Sequence, residues 1–126
     1  MKSMVCFRTD QGKFAVPVAA ARAVRLASGL VTIPEQRSEI AGVLPGNPPL
    51  TVLAVLGDGG DHVLVLESHD IQFGLQVREV YGVTRVQDDE IRPGRVGGDT
   101  SMFVGTLQDP DALVLIVDAD EMATRL

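Results

Sequence analysis

The chain of 126 residues is long enough for one ordinary domain and too short for two of typical size. Its 17 acidic residues outnumber 11 basic ones, giving a formal charge of -6, so a nucleic-acid backbone or an anionic lipid surface would be repelled on average. We therefore predict neither nucleic-acid binding nor direct membrane insertion. The single cysteine, Cys6, has no partner for an internal disulfide, and no long apolar segment occurs, which predicts a cytoplasmic protein.

The first quarter of the chain predicts a hairpin followed by a helix. The stretches "MVCFRT" and "KFAVPV" flank "DQG", in which Gly12 can take the positive φ of a tight turn. Residues 18–27, "VAAARAVRLA", are rich in the helix formers Ala, Arg and Leu, and they stop before Ser28 and Gly29. We therefore predict one short helix over residues 18–27.

The middle of the chain predicts short strands. "LVTIP" and "IAGVL" are each typical of a strand, and the Pro-rich "LPGNPPL" that follows cannot supply ladder hydrogen bonds. "LTVLAVL" and "HVLVLE" are continuous apolar runs on either side of "GDGGD". This pattern predicts that the two runs form a hairpin, and "SHD" then turns the chain again.

The stretch "FGLQVREVYGV", residues 73–83, combines alternation with a charged pair. From Ile71 to Val77 every second residue is apolar, which predicts a strand with one buried and one solvent-exposed face. The alternation breaks at Arg78 and Glu79. We interpret this pair as a turn into the strand "VYGVTRV" rather than as catalytic machinery.

The last third of the chain predicts a long polar loop and a final hairpin. "QDDEIRPGRVGGDTS" is polar and rich in glycine, whereas "MFVGTLQ" and "ALVLIVDAD" are apolar and flank "DPD". The second of these two runs is apolar enough for a central strand. The total of nine or ten short strands and one helix predicts a mainly β protein built from barrels.

Motifs for catalysis, metals and cofactors are missing from the sequence. His62 and His69 are seven residues apart without a CxxC, HxxxH or HExxH pattern, and "GDGGD" precedes a strand rather than the helix N-terminus of a phosphate loop. No Ser or Cys lies beside a base in a recognisable arrangement. We therefore predict no catalytic residue, no metal and no cofactor, and we interpret two acidic clusters as solvated charge: Asp88, Asp89 and Glu90, and Asp118, Asp120 and Glu121.

Two alternatives to an interaction protein stay open on the residues alone. One is a small-molecule-binding or enzymatic β-barrel, in which a cleft binds the ligand and an acid such as Asp118 or Glu79 transfers protons. The other is a structural assembly module, in which an open edge strand pairs with another copy.

The order of these elements resembles the CheW-like domain of bacterial chemotaxis coupling proteins. The resemblance lies in five stretches, in order: "VCFRTDQGKFAVPVAAARAVRL", "LVTIP", "IAGVL", "FGLQVREVYGVTRVQDDEIRPG" and "MFVGTLQDPDALVLIVDADEM". It implies a single domain over residues 1–126, made of two small five-stranded SH3-like β-barrels that pack together through a shared hydrophobic seam.

The resemblance also implies a non-catalytic adaptor that binds the regulatory domain of a CheA-type histidine kinase and the cytoplasmic tips of chemoreceptors. The family's receptor groove, carried over by position, predicts four contact residues: Ala21, His62, Val63 and Val83. A second set is predicted on the kinase side or on a divergent coupling surface: Ala23, Leu44 and Asn47.

Two departures from the family pattern fall in this second set. The family usually carries an acid late in its short helix, where this chain has Ala23, and an Arg after the "GV" pair, where this chain has "LPGNPP". Because both charges are missing together, no buried ion is left unpaired. We expect the fold to be kept and the coupling surface to be altered.

Overall fold

The computed structural model describes residues 1–33, 39–57, 59–98 and 101–126. In this part of the chain, β-strands dominate, and the one α-helix, α1, covers only Ala119–Ala123. The mainly β architecture predicted from the sequence is confirmed. The strands are β1 (Lys2–Thr9), β2 (Gly12–Pro17), β3 (Ala21–Leu26), β4 (Ile40–Leu44), β5 (Leu50–Leu53), β6 (His62–Ser68), β7 (Ile71–Val77), β8 (Glu79–Val86), β9 (Ile91–Pro93), β10 (Phe103–Asp109) and β11 (Ala112–Val117).

The strands form two sheets, one for each predicted barrel. The first sheet has six strands in the order β8-β1-β2-β11-β10-β9, and the second has five in the order β3-β6-β7-β5-β4. The sixth strand of the first sheet is the three-residue β9, which lies within a segment that the sequence predicted to be a loop. The chain termini thus build the first sheet, and the middle of the chain builds the second.

A hydrophobic seam joins the two sheets. Along β1, Val5 and Phe7 face the seam while Met4 faces the interior of the first barrel; along β6, Leu64 faces the seam while Val63 faces the interior of the second. Alternate residues of a strand point to opposite faces, so these central strands are buried on both sides. The largest core cluster is therefore the seam itself, to which α1 adds Met122.

The predicted helix over residues 18–27 is wrong. Val18–Ala20 forms a single 3-10 turn, and Ala21–Leu26 is strand β3, which pairs antiparallel with β6. Helix propensity is a weak prior that tertiary context overrides. The helix would have left β6 without a neighbour on this side, and β6 is buried on both faces.

The pairing of β5 with β6 was also predicted wrongly. β5 pairs antiparallel with β4 and parallel with β7, and β7 separates it from β6 in the sheet. The predicted hairpins β1–β2 and β10–β11 are confirmed, and β11 is central as expected. The predicted turn at "SHD" joins β6 to β7, which pair antiparallel. In the predicted strand "LVTIP", Val31 makes one isolated bridge to Val43; its last residue, at position 34, lies outside the described residues.

The connection between β7 and β8 is as predicted, because Arg78 links the two strands and Glu79 begins the second. The predicted solvent-exposed face of β7 is wrong at Gly74. This glycine is buried, and a Cβ atom there would lie 2.5 Å from Cγ1 of Val63. Gly74 therefore faces the interior of the second barrel and allows its core to close.

Candidate protein-interaction surfaces

Strand β8 forms one edge of the first sheet, and its middle is exposed. Val83 pairs with Val5 of β1 and is 64% exposed, and Tyr81, beside the bulge in this pairing, is 50% exposed. Residues directly opposite each other on paired strands share a face, so Val83 lies on the seam side of the sheet. β8 also approaches β6 of the second sheet. The predicted contact residue Val83 thus presents an exposed apolar side chain on the face of the sheet that carries the seam.

The other three predicted groove residues do not form one exposed surface. Ala21 is half-buried and pairs with Leu66, four residues along β6 from His62, which is a separation of roughly 13 Å at the usual strand rise. His62 is also half-buried, and its Nδ1 atom has no hydrogen-bond partner in the described part of the chain. Val63 is fully buried in the second barrel. Its side chain is core and offers no contact surface in this fold.

The second predicted set divides in the same way. Leu44 is buried in the core of the second barrel. Ala23 and Asn47, in contrast, both line one open groove of about 800 Å³. We call it the β3 groove. Its lining is Arg22, Ala23 and Arg25 of β3, Gly46 to Pro49 of the loop before β5, Leu50 of β5, and Val65, Glu67, Asp70 and Gln72.

A small polar network forms part of the lining of the β3 groove. Glu67 accepts hydrogen bonds from Gln72 Nε2 at 3.2 Å and from Arg22 Nη2 at 3.1 Å. These bonds hold the pKa of the Glu67 carboxyl below its ordinary value, and the bond from Gln72 makes the largest contribution. Arg22 also donates to the backbone carbonyls of Ala19 and Ala21. The carboxylate is thereby held ionised against the guanidinium, and both side chains are fixed in place.

A second groove opens at the mouth of the first barrel, with a volume of about 420 Å³. Its floor contains Phe14, Leu107 and the thiol-bearing Cys6, and its rim contains Lys13 and Tyr81. Lys13 pairs with Asp109 at 3.3 Å, and its Nζ lies 5.9 Å from the centre of the Tyr81 ring. Positive and negative charges both line this rim, so it selects no ligand charge.

The two carboxylates considered for proton chemistry have structural roles. Glu79 pairs with Arg8 at 3.4 Å. Asp118 caps α1 by accepting backbone N–H bonds from its first turn, and it pairs with Arg95 at 2.9 Å. Neither acid lines either groove. Within the described residues no group of three or more His, Cys, Asp or Glu could hold a metal ion, and no helix there is long and apolar enough to span a membrane.

Sequence reasoning missed the exposed apolar residues of β3. Val24 is 47% exposed and Leu26 is 64% exposed, whereas the helix prediction gave them no particular role. One signal was available, because the apolar residues at 24 and 26 alternate with Arg25 at the period of a strand. The run is short and rich in Ala and Arg, so composition dominated the prediction.

Comparison with protein-family models matches residues 47–126 to the CheW-like domain. The match spans more than half of the chain. The chain belongs to the CheW-like domain family. Of the five stretches that carried the resemblance, the last two fall inside the matched range, and the first three precede it.

The similarity to solved structures extends over nearly the whole CheW-like chain. The crystal structure of the scaffolding protein TtCheW from Thermoanaerobacter tengcongensis superimposes with a TM-score of 0.80 at 19% identity, covering 94% of this chain and 90% of that one. No curated protein matches the sequence significantly. The predicted CheW fold of two SH3-like subdomains is thus confirmed, including the N-terminal strands that the family match leaves out.

Proposed function

We propose that this CheW-like domain is a non-catalytic adaptor in chemotaxis-like signal transduction. In this role it couples the cytoplasmic tips of chemoreceptors to the regulatory domain of a CheA-type histidine kinase. Family membership supports the adaptor role. The whole chain, residues 1–126, would act as one domain of two intertwined barrels, located in the cytoplasm and recruited to receptor arrays.

The observation that carries this proposal is the exposed apolar edge of the first sheet. Val83, 64% exposed, lies directly opposite Val5 of the buried seam on the neighbouring strand. Tyr81, half-exposed on the same strand, is an aromatic residue of the kind enriched at protein interfaces. A partner that covers β8 would bury apolar surface next to an existing hydrophobic seam, which favours association.

The structure favours binding over catalysis. Glu79 and Asp118 each serve a structural contact, as described above. The pKa of the Glu67 carboxyl is lowered, and hydrogen bonds from Gln72 and Arg22 account for the lowering. A carboxylate hydrogen-bonded in this way at the surface is typical of a structural contact. The pKa of an acid–base catalyst is typically shifted by burial in a cleft.

The test is a calorimetric titration of the protein with the regulatory domain of a CheA-type kinase from the same genome. We expect a dissociation constant in the micromolar range or tighter. Val83→Arg should weaken binding by about tenfold or more, because a charge would be placed in a desolvated apolar contact. The matched control is Leu113→Arg on β11, since Leu113 is 55% exposed, and it should bind as the wild type does.

Leu44 and Val63 are unsuitable for this experiment, because both are core residues whose replacement by a charge would unfold the second barrel. Folding of each variant is checked by circular dichroism. Absence of binding by the folded wild type to every such kinase domain would refute the coupling function. If Val83→Arg and Leu113→Arg weaken binding equally, the kinase-binding surface does not lie on β8.

A further inference from the structure

Among the described residues, strand β3 pairs with β6 along one edge and with no strand along the other. The N–H of Ala27 donates to the carbonyl of Asp61 at 2.8 Å, directly after the pairs Arg25–Val63 and Leu26–His62. In an antiparallel pair, hydrogen-bonded residues alternate with residues whose N–H and C=O point outward. Arg25 is therefore bonded to β6, while the backbone groups of Val24 and Leu26 point away from the sheet. No other hydrogen bond to these outward groups is found among the described residues.

The β3 groove lies beside this edge and gives it two different faces. Ala23 and Arg25 line the groove, whose floor includes the buried residues Leu50 and Val65. Val24 and Leu26 project on the opposite face and are exposed. An added strand would therefore place one set of alternate side chains in the groove beside Arg25 and the other set beside these two apolar residues.

The β3 groove carries two basic and two acidic side chains, but its acids lie away from Arg25. Arg25 pairs with Val63 of β6, whereas Glu67 and Asp70 are four and seven residues further along the chain, beyond the Ala21–Leu66 pair. Arg22 is engaged by Glu67. Arg25 is exposed and makes no ion pair within the described residues, so it is available to a carboxylate from outside.

We propose that β3 binds an extended acidic peptide of a partner protein by strand addition. The bound segment carries a carboxylate opposite Arg25, flanked by β-branched residues opposite Val24 and Leu26. This inference does not depend on the coupling function, since it requires neither a CheA-type kinase nor a receptor.

A second copy of this chain fits the edge poorly. Two β3 strands paired antiparallel about their centres would bring the two Arg25 side chains together, and like charges in such positions are destabilising. Arg22 shortens the accessible part of this edge, because its guanidinium already donates hydrogen bonds to the carbonyls of Ala19 and Ala21. The free edge therefore spans only Val24 to Leu26, which suits a short peptide.

The test uses a synthetic nonapeptide, acetyl-Ser-Thr-Thr-Val-Asp-Val-Thr-Thr-Ser-amide, titrated to several millimolar into isotope-labelled protein and followed by NMR. In the free protein, the amide of Ala27 should exchange slowly with solvent and those of Val24 and Leu26 quickly. Saturation with the peptide should slow amide hydrogen exchange at Val24 and Leu26. During the titration the NMR signals of β3 should shift at lower peptide concentration than those of β8. A peptide with Lys in place of Asp should bind about fivefold or more weakly, because it meets Arg25 with a like charge.

Two pairs of variants separate backbone pairing from side-chain contact. Val24→Pro removes an outward N–H that the fold does not use, and an outward-facing proline is tolerated on an edge strand. It should lower peptide affinity about tenfold, since both a hydrogen bond and the close approach of the added strand are lost. Val24→Thr, which keeps the N–H and the β-branched shape, should bind within about threefold of the wild type. Arg25→Glu should reverse the preference between the Asp and Lys peptides.

Unchanged exchange at Val24 and Leu26 with peptide at several millimolar would overturn the proposal. So would equal binding by Val24→Pro and Val24→Thr. If the two amides are already protected in concentrated protein without peptide, and sedimentation shows a dimer, then a second copy occupies the edge and the acidic-peptide proposal is wrong.

Discussion

Replacing Gly74 tests how the interior of the second barrel is packed. Gly74 lies in the central strand β7 with an ordinary negative-φ backbone, so a side chain there causes no backbone strain of its own. A Cβ atom would meet Val63 Cγ1 at 2.5 Å, Val52 Cγ2 at 3.1 Å and Leu50 Cδ2 at 3.3 Å. All three neighbours are buried core side chains. We expect Gly74→Ala to destabilise the fold by overpacking.

The expected magnitude follows from two opposing effects. Carbon atoms pack best at about 3.5–4.0 Å, so Val63 must move by roughly 1 Å, and its branched side chain has little rotamer freedom. Overpacking of this kind costs about 1–3 kcal/mol. Alanine also lowers the conformational entropy of the unfolded chain relative to glycine, which stabilises the folded protein by about 0.4–1 kcal/mol. Taken at the middle of each range, these two effects leave a net loss in the free energy of unfolding of about 1 kcal/mol.

The assay is urea unfolding followed by far-UV circular dichroism on the wild type, Gly74→Ala, Val63→Ala and the double variant. Val63→Ala alone leaves a cavity, which the methyl group added at position 74 fills in the double variant. The two substitutions should therefore couple by about 1 kcal/mol or more, with the double variant more stable than the sum of the singles predicts. A Gly74→Ala protein as stable as the wild type, or strict additivity, would refute this account of the core.

Two further predictions concern the polar contacts. Asp118→Ala should lower the free energy of unfolding by about 1–2 kcal/mol, because the side chain caps α1 and pairs with Arg95. Asp118→Asn keeps a capping oxygen, so a thermal melt should show a smaller loss of stability for this variant. Equal losses in the two variants would contradict the capping role. The pKa of Glu67 should lie below the ordinary value for a Glu carboxyl and should rise in Gln72→Ala, as measured by NMR titration. Because that pKa is lowered in the native state, the stabilising contribution is present above the ordinary pKa and is lost as pH falls through the lowered value; identical titration in the two proteins would contradict this.

The hairpins could be predicted because their signals are local. Gly12 marks the β1–β2 turn, and His69 and Asp70 form the β6–β7 turn with positive φ values of 49° and 66°, a conformation that Asp tolerates better than most residues. The apolar runs on each side supply both strands. In such cases the pairing partners are neighbours in sequence, so the order of residues is sufficient.

The partner of β5 could not be predicted in this way. Its run "LTVL" is apolar on both faces, which indicates burial but carries no information about which strand lies beside it. The next apolar run along the chain, β6, was the natural choice. In the structure β7 lies between them and pairs in parallel with β5, a non-local arrangement set by closure of the barrel.

The predicted contact residues also divide into those that the sequence could identify and those that needed the structure. Family resemblance selected Val83 and Val63 alike, and both are valines in strands. Val83 lies on an edge strand and is 64% exposed, whereas Val63 is in a strand with neighbours on both sides and is fully buried. Exposure depends on the position of a strand within its sheet, which only the pairing decides.

The sequence by itself determined the fold class, two local hairpins, the turns at "SHD" and at Arg78 and Glu79, and the resemblance to the CheW-like family, because each depends on residue type at short spacing. Only the tertiary structure decided that residues 21–26 form a strand, that Gly74 faces a closed core, and that Ala23 and Asn47 share a groove. Each of these depends on which strands lie side by side. Pairing between distant strands is stabilised by burial on both faces of the sheet, and that burial exists only once the whole barrel has formed.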